Sequence, residues 1–184
     1  MHDARLIFVI SDTVLYTRKQ DYDSAIGVWQ RELLRTDPWY ADMMPNFRVL
    51  AKNELPAGID SATSFTSVCI NTSIYLPWLV SQCLKAGVKF KRGIVKHISE
   101  AAGMHSRGKR ADIVVNCTGL GSRFLGGVED EGVVPARGQI TLVRNEPNIM
   151  TGVSGTDDGD DECVYIMQRA AGKFCVLDQY FDRV

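Results

Sequence analysis

Along the first half of the chain the hydrophobic pattern changes period several times. Leu6 to Ile10 is a short apolar run rich in β-branched residues and closed by Ser11-Asp12, which predicts a buried strand. Ser24 can cap a following helix, in which Ile26, Trp29, Leu33 and Leu34 recur at helical spacing until Asp37-Pro38 ends the pattern. Three prolines between Pro38 and Asp60, with Trp39, Phe47 and Leu50 among them, predict an irregular but packed connection. Thr66, Val68 and Ile70 then alternate with Phe65, Ser67 and Cys69, the period of a strand. The clearest helix covers residues 73–86, with Leu76, Val80, Cys83 and Leu84 on one stripe and Gly87 just past its end. If Ser73 is its cap, Pro77 falls in the first turn, where its missing N–H costs nothing.

The second half reads mainly as strands. Val88 to Phe90 and Gly93 to Ile98 are expected to be short ones, and Gly103 to Arg110 a basic surface loop. Residues 111–117, Ala-Asp-Ile-Val-Val-Asn-Cys, form a nearly continuous apolar run of the kind buried on both faces of a parallel sheet. Ile140 to Val143 follows an Arg137-Gly138-Gln139 turn, and a loop from Gly152 to Glu162 leads to a hairpin spanning 163–180. The mixture of helix, alternating strands and one parallel-type strand places the chain in the α/β (α+β) class.

Composition narrows the function classes. With 184 residues, 45% of them hydrophobic, and a formal net charge of −1, the chain fits a folded domain, and a basic footprint for nucleic acid would have to be local. No apolar run approaches the roughly 18 residues that a membrane span needs. The five cysteines, at 69, 83, 117, 163 and 175, form no C-x-x-C pair and no ligand set with the three histidines, so they read as buried thiols and no metal site is expected. The acidic stretch from Asp157 to Glu162 lacks calcium-loop spacing and reads as a solvated loop.

Two places invite chemistry. The run to Cys117 empties into Thr118-Gly119-Leu120-Gly121, small residues that let a ligand approach the backbone, but the third glycine of a dinucleotide fingerprint is replaced by Phe124. Structural turn and cofactor contact both remain open there. Tyr165 and Tyr180 are equidistant from a turn centred between Gly172 and Lys173. In that register they are direct cross-strand partners, with Met167 opposite Asp178 and Arg169 opposite Val176. Such a pair either glues the hairpin or offers two hydroxyls to one small ligand. No acid–base constellation, nucleophile elbow or P-loop is present, so no catalytic side chain is assigned.

Several segments together resemble the flavin-dependent D-amino-acid oxidases, in particular the fungal members: Thr66 to Leu79, Val114 to Gly121, Pro135-Ala136-Arg137-Gly138-Gln139, and Tyr165-Ile166. The resemblance runs from about Leu6 to Tyr180 and is weakest over residues 20–35. It implies a mixed-sheet substrate domain interleaved with part of a Rossmann-like, FAD-binding parallel sheet. On this reading residues 1–70 and 135–184 belong to the substrate domain, and 71–134, with helix 73–86 and strand 111–117, to the flavin domain. By the same resemblance Val95, Thr118 and Gly119 contact FAD, while Tyr165 and Tyr180 line the substrate pocket.

The implied reaction oxidises a D-amino acid to an imino acid, which hydrolyses to the keto acid, while oxygen takes up the electrons as hydrogen peroxide. The family's glycine-rich opening loop, its carboxylate-binding arginine and its late glycine turn have no counterpart in these residues. Leu177 and Asp178 stand where the family usually has glycines. The chain is therefore expected to be a middle segment that does not turn over alone. A D-aspartate oxidase relative is the alternative within the enzymes, and a non-catalytic remnant binding a partner or an amino-acid-like ligand is the alternative outside them. The family's peroxisomal location is implied, but Phe181-Asp182-Arg183-Val184 is no S-K-L-type address, which leaves the cytoplasm open. Oligomeric state is not legible.

Overall fold

The computed structural model describes residues 7–143, 148–169 and 173–180. These fall into two units: one holds the chain up to Trp78 and again from Ala136, and the other holds Leu79–Pro135.

The first unit is built on a seven-stranded mixed sheet. Its strands are β1 (Phe8–Thr17), β2 (Arg48–Val49), β3 (Ser61–Ile70), β4 (Arg137–Val143), β5 (Ile149–Val153), β6 (Glu162–Arg169) and β7 (Lys173–Tyr180), in the order β2-β3-β1-β5-β6-β7-β4. β1 pairs antiparallel with β3 over its whole length, from Phe8↔Ile70 to Thr17↔Ser61, and parallel with β5, from Asp12↔Ile149 to Tyr16↔Val153. The remaining neighbours are antiparallel.

β1 runs seven residues beyond the predicted end at Ile10. Ser11 and Thr13 lie inside the sheet and are buried, their main chain paired with β3 and, at Thr13, also with β5. β4 likewise absorbs the expected Arg137–Gln139 turn, and β5 occupies residues that include Gly152 and Val153, expected to be loop.

One sheet face is closed by the connection after Pro38. Tyr40 sits edge-on to Phe65, with ring centroids 5.5 Å apart, and Phe47 stacks on Phe65 at 6.3 Å. The Tyr40 hydroxyl donates to the Leu33 carbonyl at 2.6 Å, and burial pushes its phenol above the ordinary tyrosine range. These aromatics, with Val14, Ala62, Cys69 and Met150, form much of the core.

Helix α1 covers only Ala25–Gln30. Ser24 caps it as expected, its hydroxyl accepting from the Gly27 N–H at 3.0 Å. The helix does not continue to Leu34. Both Leu33 and Leu34 donate their N–H to the Gln30 carbonyl, turning the chain towards Tyr40 and leaving Trp29 exposed rather than on a buried stripe.

Helix α2 runs from Thr72 to Lys85, so Pro77 is its sixth residue and interrupts the ladder instead of sitting harmlessly in the first turn. The ladder starts one residue early because the Asn71 carbonyl already accepts from the Tyr75 N–H at 2.9 Å. Its far end is the predicted one. Gly87 adopts φ +83°, and the Val88→Cys83 and Gly87→Leu84 bonds form a Schellman cap.

The second unit has the four-residue helix α3 (Ile98–Ala101), a single parallel bridge between His97 and Gly126, and irregular chain. The strands expected at 88–90, 93–98 and 111–117 are not formed among the described residues. The side chains of 111–117 have strand propensity, but a strand exists only with a neighbour to pair with, and here none lies alongside. Ile113 and Val115 are correspondingly 80% and 74% exposed.

Candidate functional site

In the first unit a row of paired residues crosses the sheet at Leu15 on β1, Gly152 on β5 and Tyr165 on β6. Gly152 decides the relief at this point. A Cβ built there would lie 3.2 Å from Leu15 Cδ2 and 3.7 Å from Tyr165 Cβ, so glycine is what lets these two side chains close over the middle strand. Around the row opens a cavity of about 360 Å³, walled by Met150, Cys163, Ile166 and Met167 and by Leu33 and Leu34 just after α1. Its polar side chains among the described residues are Thr13, Gln30, Thr151 and Tyr165, and no charged residue lines it among them. Such a hollow suits a small, largely uncharged group.

Tyr165 therefore borders a cavity, half-buried, but it does not face the residue predicted. The hairpin register pairs Tyr165 with Leu177, Met167 with Cys175 and Arg169 with Lys173, while Tyr180 pairs with Glu162 on one side and Arg137 on the other. Relative to the expected hairpin, β7 is shifted by three positions. The observed hairpin is centred on position 171, with Arg169 and Lys173 its last pair, and moving the centre by one and a half positions moves every pairing by three. The direct cross-strand pairing of the two tyrosines is thus replaced, with three positions separating Tyr180 from the residue opposite Tyr165.

Val95, Thr118 and Gly119 all lie in the second unit. The Thr118–Gly119 turn is locally well determined. Asn116 Oδ1 accepts from both the Thr118 N–H at 3.1 Å and its hydroxyl at 2.7 Å. The Ser122 hydroxyl donates to the Gly119 carbonyl at 2.8 Å, closing a 3₁₀ turn over Gly119–Arg123. Gly119 has φ +55°, a conformation that favours glycine, and no atom lies within 4 Å of where its Cβ would be. The turn presents bare, exposed backbone, the surface a flat cofactor can approach closely, so these residues fit a flavin contact. Val95 is half-buried within the irregular stretch before α3.

Sequence reasoning missed one cluster. Arg18 grips the buried carboxylate of Asp21 through Nε (2.8 Å) and Nη2 (2.7 Å), and reaches Asp157 through Nη1 at 2.7 Å. Ser154 donates its hydroxyl to Asp21 and accepts from the Arg18 N–H, so residues 18–21 and 154–157 are knotted together. Hydrogen bonding to Asp21 raises the guanidinium's already high pKa. The spacing of Arg18 and Asp21 hints at a local pair, but their partners lie more than 130 positions away. Among the described residues no group of three or more His, Cys, Asp or Glu is arranged to hold a metal; Cys69 and Cys163 are buried as expected, whereas Cys83 is half-buried and Cys117 exposed. No helix among them is long and apolar enough to cross a membrane.

The sequence profile described as FAD dependent oxidoreductase matches residues 11–182. The chain belongs to that family. A D-amino-acid oxidase of Fusarium vanettenii is 51% identical over 150 residues, which is 82% of this chain and 42% of that protein. A D-amino-acid oxidase of Schizosaccharomyces pombe is 35% identical over 99 residues, covering 54% of this chain and 28% of its own. A D-aspartate oxidase of Cryptococcus neoformans var. grubii is 37% identical over 143 residues, 70% of this chain and 36% of its own length. The chain thus spans less than half the length of each of these relatives, and FAD is the cofactor of the family to which it belongs.

Proposed function

We propose that this chain is part of an FAD-dependent D-amino-acid oxidase, in which the first unit supplies a wall of the substrate pocket and the second supplies contacts to the flavin. The observation that carries this reading is the uncharged cavity bordered by Tyr165. FAD bound here would supply the acceptor for the amino acid's α-hydrogen as a hydride and the means of passing the electrons on to oxygen as peroxide. The chain's own contribution is to bind and orient. Tyr165 offers its hydroxyl to the amino acid; Tyr180, three positions from the residue paired with Tyr165, stands on the opposite face of the sheet and is not assigned to the same ligand. Thr118 and Gly119 hold the flavin through exposed backbone, with Val95 as a further contact. No side chain here is required as an acid or base, because the cofactor is the electron sink and positioning supplies the rate.

The cavity also favours one substrate class over another. A D-aspartate side chain entering it would bring a second carboxylate against Leu15, Leu33, Met150 and Met167 with no cation among the described lining residues, and burying an unpaired charge is costly. Neutral D-amino acids are therefore the expected substrates.

The test follows flavin absorbance without oxygen after addition of D-leucine, D-aspartate or L-leucine. A polypeptide of the relatives' length that carries these residues is expected to be bleached by D-leucine well before D-aspartate. The 184-residue chain supplied with FAD is expected to leave the flavin oxidised. Faster bleaching by D-aspartate would replace the neutral-substrate reading with the acidic one, and bleaching by L-leucine would overturn both.

A further inference from the structure

A second, smaller cavity of the first unit, of about 70 Å³, is bordered by Arg18, Arg31 and Arg35. Two of these cations have carboxylate partners: Arg18 pairs with Asp21 and Asp157, and Arg35 with Asp37 and Glu32. Arg31, the residue that ends α1, joins no ion pair among the described residues. Its Nη2 donates to the Tyr22 carbonyl at a long 3.3 Å, and its Nε is buried with no hydrogen-bond partner. A buried donor without an acceptor is costly, the more so on a charged group.

The surroundings leave that N–H open to an outside acceptor. Asp21 is the carboxylate among the described lining residues, and both its oxygens are occupied: one accepts from Arg18 Nη2, the other from Arg18 Nε and the Ser154 hydroxyl. The Thr17 hydroxyl, also on the wall, donates to the Leu34 carbonyl at 3.4 Å. The Tyr22 ring lies against the Arg31 guanidinium, its centroid 4.7 Å from Cζ, and so covers one face of the cation. Because the Nε–H bond lies in the guanidinium plane, its acceptor must arrive edge-on, beside the covered face. At about 15 Å³ of such space for each water-sized group, the cavity has room for an ion the size of acetate. Tyr22 and Arg35 on its rim are exposed, which gives the ion a way in from solvent.

We propose that this cavity is a binding site for a small carboxylate, which accepts a hydrogen bond from Arg31 Nε. Arg18 and Arg35 already have counter-charges, so a ligand meets one uncompensated cation and a single negative charge balances it. A carboxylate matches the edge of a guanidinium because its oxygens lie in one plane with the donors, whereas a halide presents a single point charge. The site is separate from the cavity bordered by Tyr165. Among the described residues the two share Leu34 alone as a wall, and the larger one has no cation.

The test follows the arginine Nε–H resonances of the isotopically labelled chain by NMR while sodium acetate is exchanged for sodium chloride at constant ionic strength. The Arg31 resonance is expected to move and to saturate at millimolar acetate, and that of Arg18, held on Asp21, to stay in place. Saturation transfer from protein to acetate should fall about ten-fold in Arg31→Gln and persist in Arg48→Gln, whose exposed arginine lies outside the cavity. An Arg31 resonance that does not respond, or one that drifts without saturating, overturns the proposal. So does a shift shared equally by Arg18, or transfer to acetate that is unchanged in Arg31→Gln. If Arg31→Gln fails to fold by circular dichroism, the resonance titration on the parent chain decides alone.

Discussion

At the scale of single residues, burial decides how much each ion pair contributes. Arg18 and Asp21 are 15% and 7% exposed at the side chain, and the pair is bidentate and backed by Ser154. Replacing Arg18 with Ala leaves a buried carboxylate without its partner, so a loss of about 3 kcal/mol in unfolding free energy is expected in a urea titration. Arg35→Ala breaks only the exposed, solvent-screened pairs with Asp37 and Glu32 and should shift the urea midpoint far less than Arg18→Ala. Equal losses from the two variants would refute this ranking.

Glu54 provides a pH test. The Ala51 N–H, at 2.9 Å, and the Arg48 guanidinium hold its carboxyl below the usual glutamate range. A carboxyl depressed in the folded state stabilises above its unfolded pKa, and that contribution is lost as pH falls through the folded value. The parent chain should therefore lose stability on acidification below about pH 4.5, and Glu54→Gln should flatten that decline; the same slope in both would remove Glu54 from the account.

At the scale of elements, features written into a few adjacent residues were legible and those set by distant partners were not. The Ser24 cap, the Gly87 terminus and the alternation in β3 are local chemistry, and all three are found where the residues place them. The end of α1 depends on Tyr40 reaching back to Leu33, and the register of β7 on where the hairpin turns, neither of which periodicity reports. β5 escaped notice because a five-residue strand containing Gly152 has little pattern to read.

Gly27 shows how tightly α1 is seated: a Cβ there would lie 1.8 Å from the Asp21 carbonyl oxygen. Main chain cannot yield as a side-chain tip can, so Gly27→Ala is expected to cost about 2–3 kcal/mol despite alanine's better helix propensity. A thermal melt showing Gly27→Ala at or above the parent's midpoint would contradict that packing.

At the scale of the whole molecule, the two units divide the proposed work. One carries the mixed sheet and the Tyr165 cavity, and the other the exposed Thr118–Gly119 turn with Val95. The cavity was not legible in advance, because its walls come from segments as far apart as Thr13, Leu34, Met150 and Met167, and only folding reveals that they enclose space. The turn was legible, since its small residues are contiguous in sequence, although the strand expected to lead into it is unpaired among the described residues.

The central claim, that this turn receives a flavin, is tested most directly by titrating the protein with FAD and following the flavin's fluorescence. Saturable quenching is expected with the parent chain. Gly119→Val, which places a branched side chain on a backbone at φ +55° in the turn proposed to meet the flavin, should weaken it by about ten-fold or more. Unquenched flavin, or the same affinity in both proteins, would contradict the account.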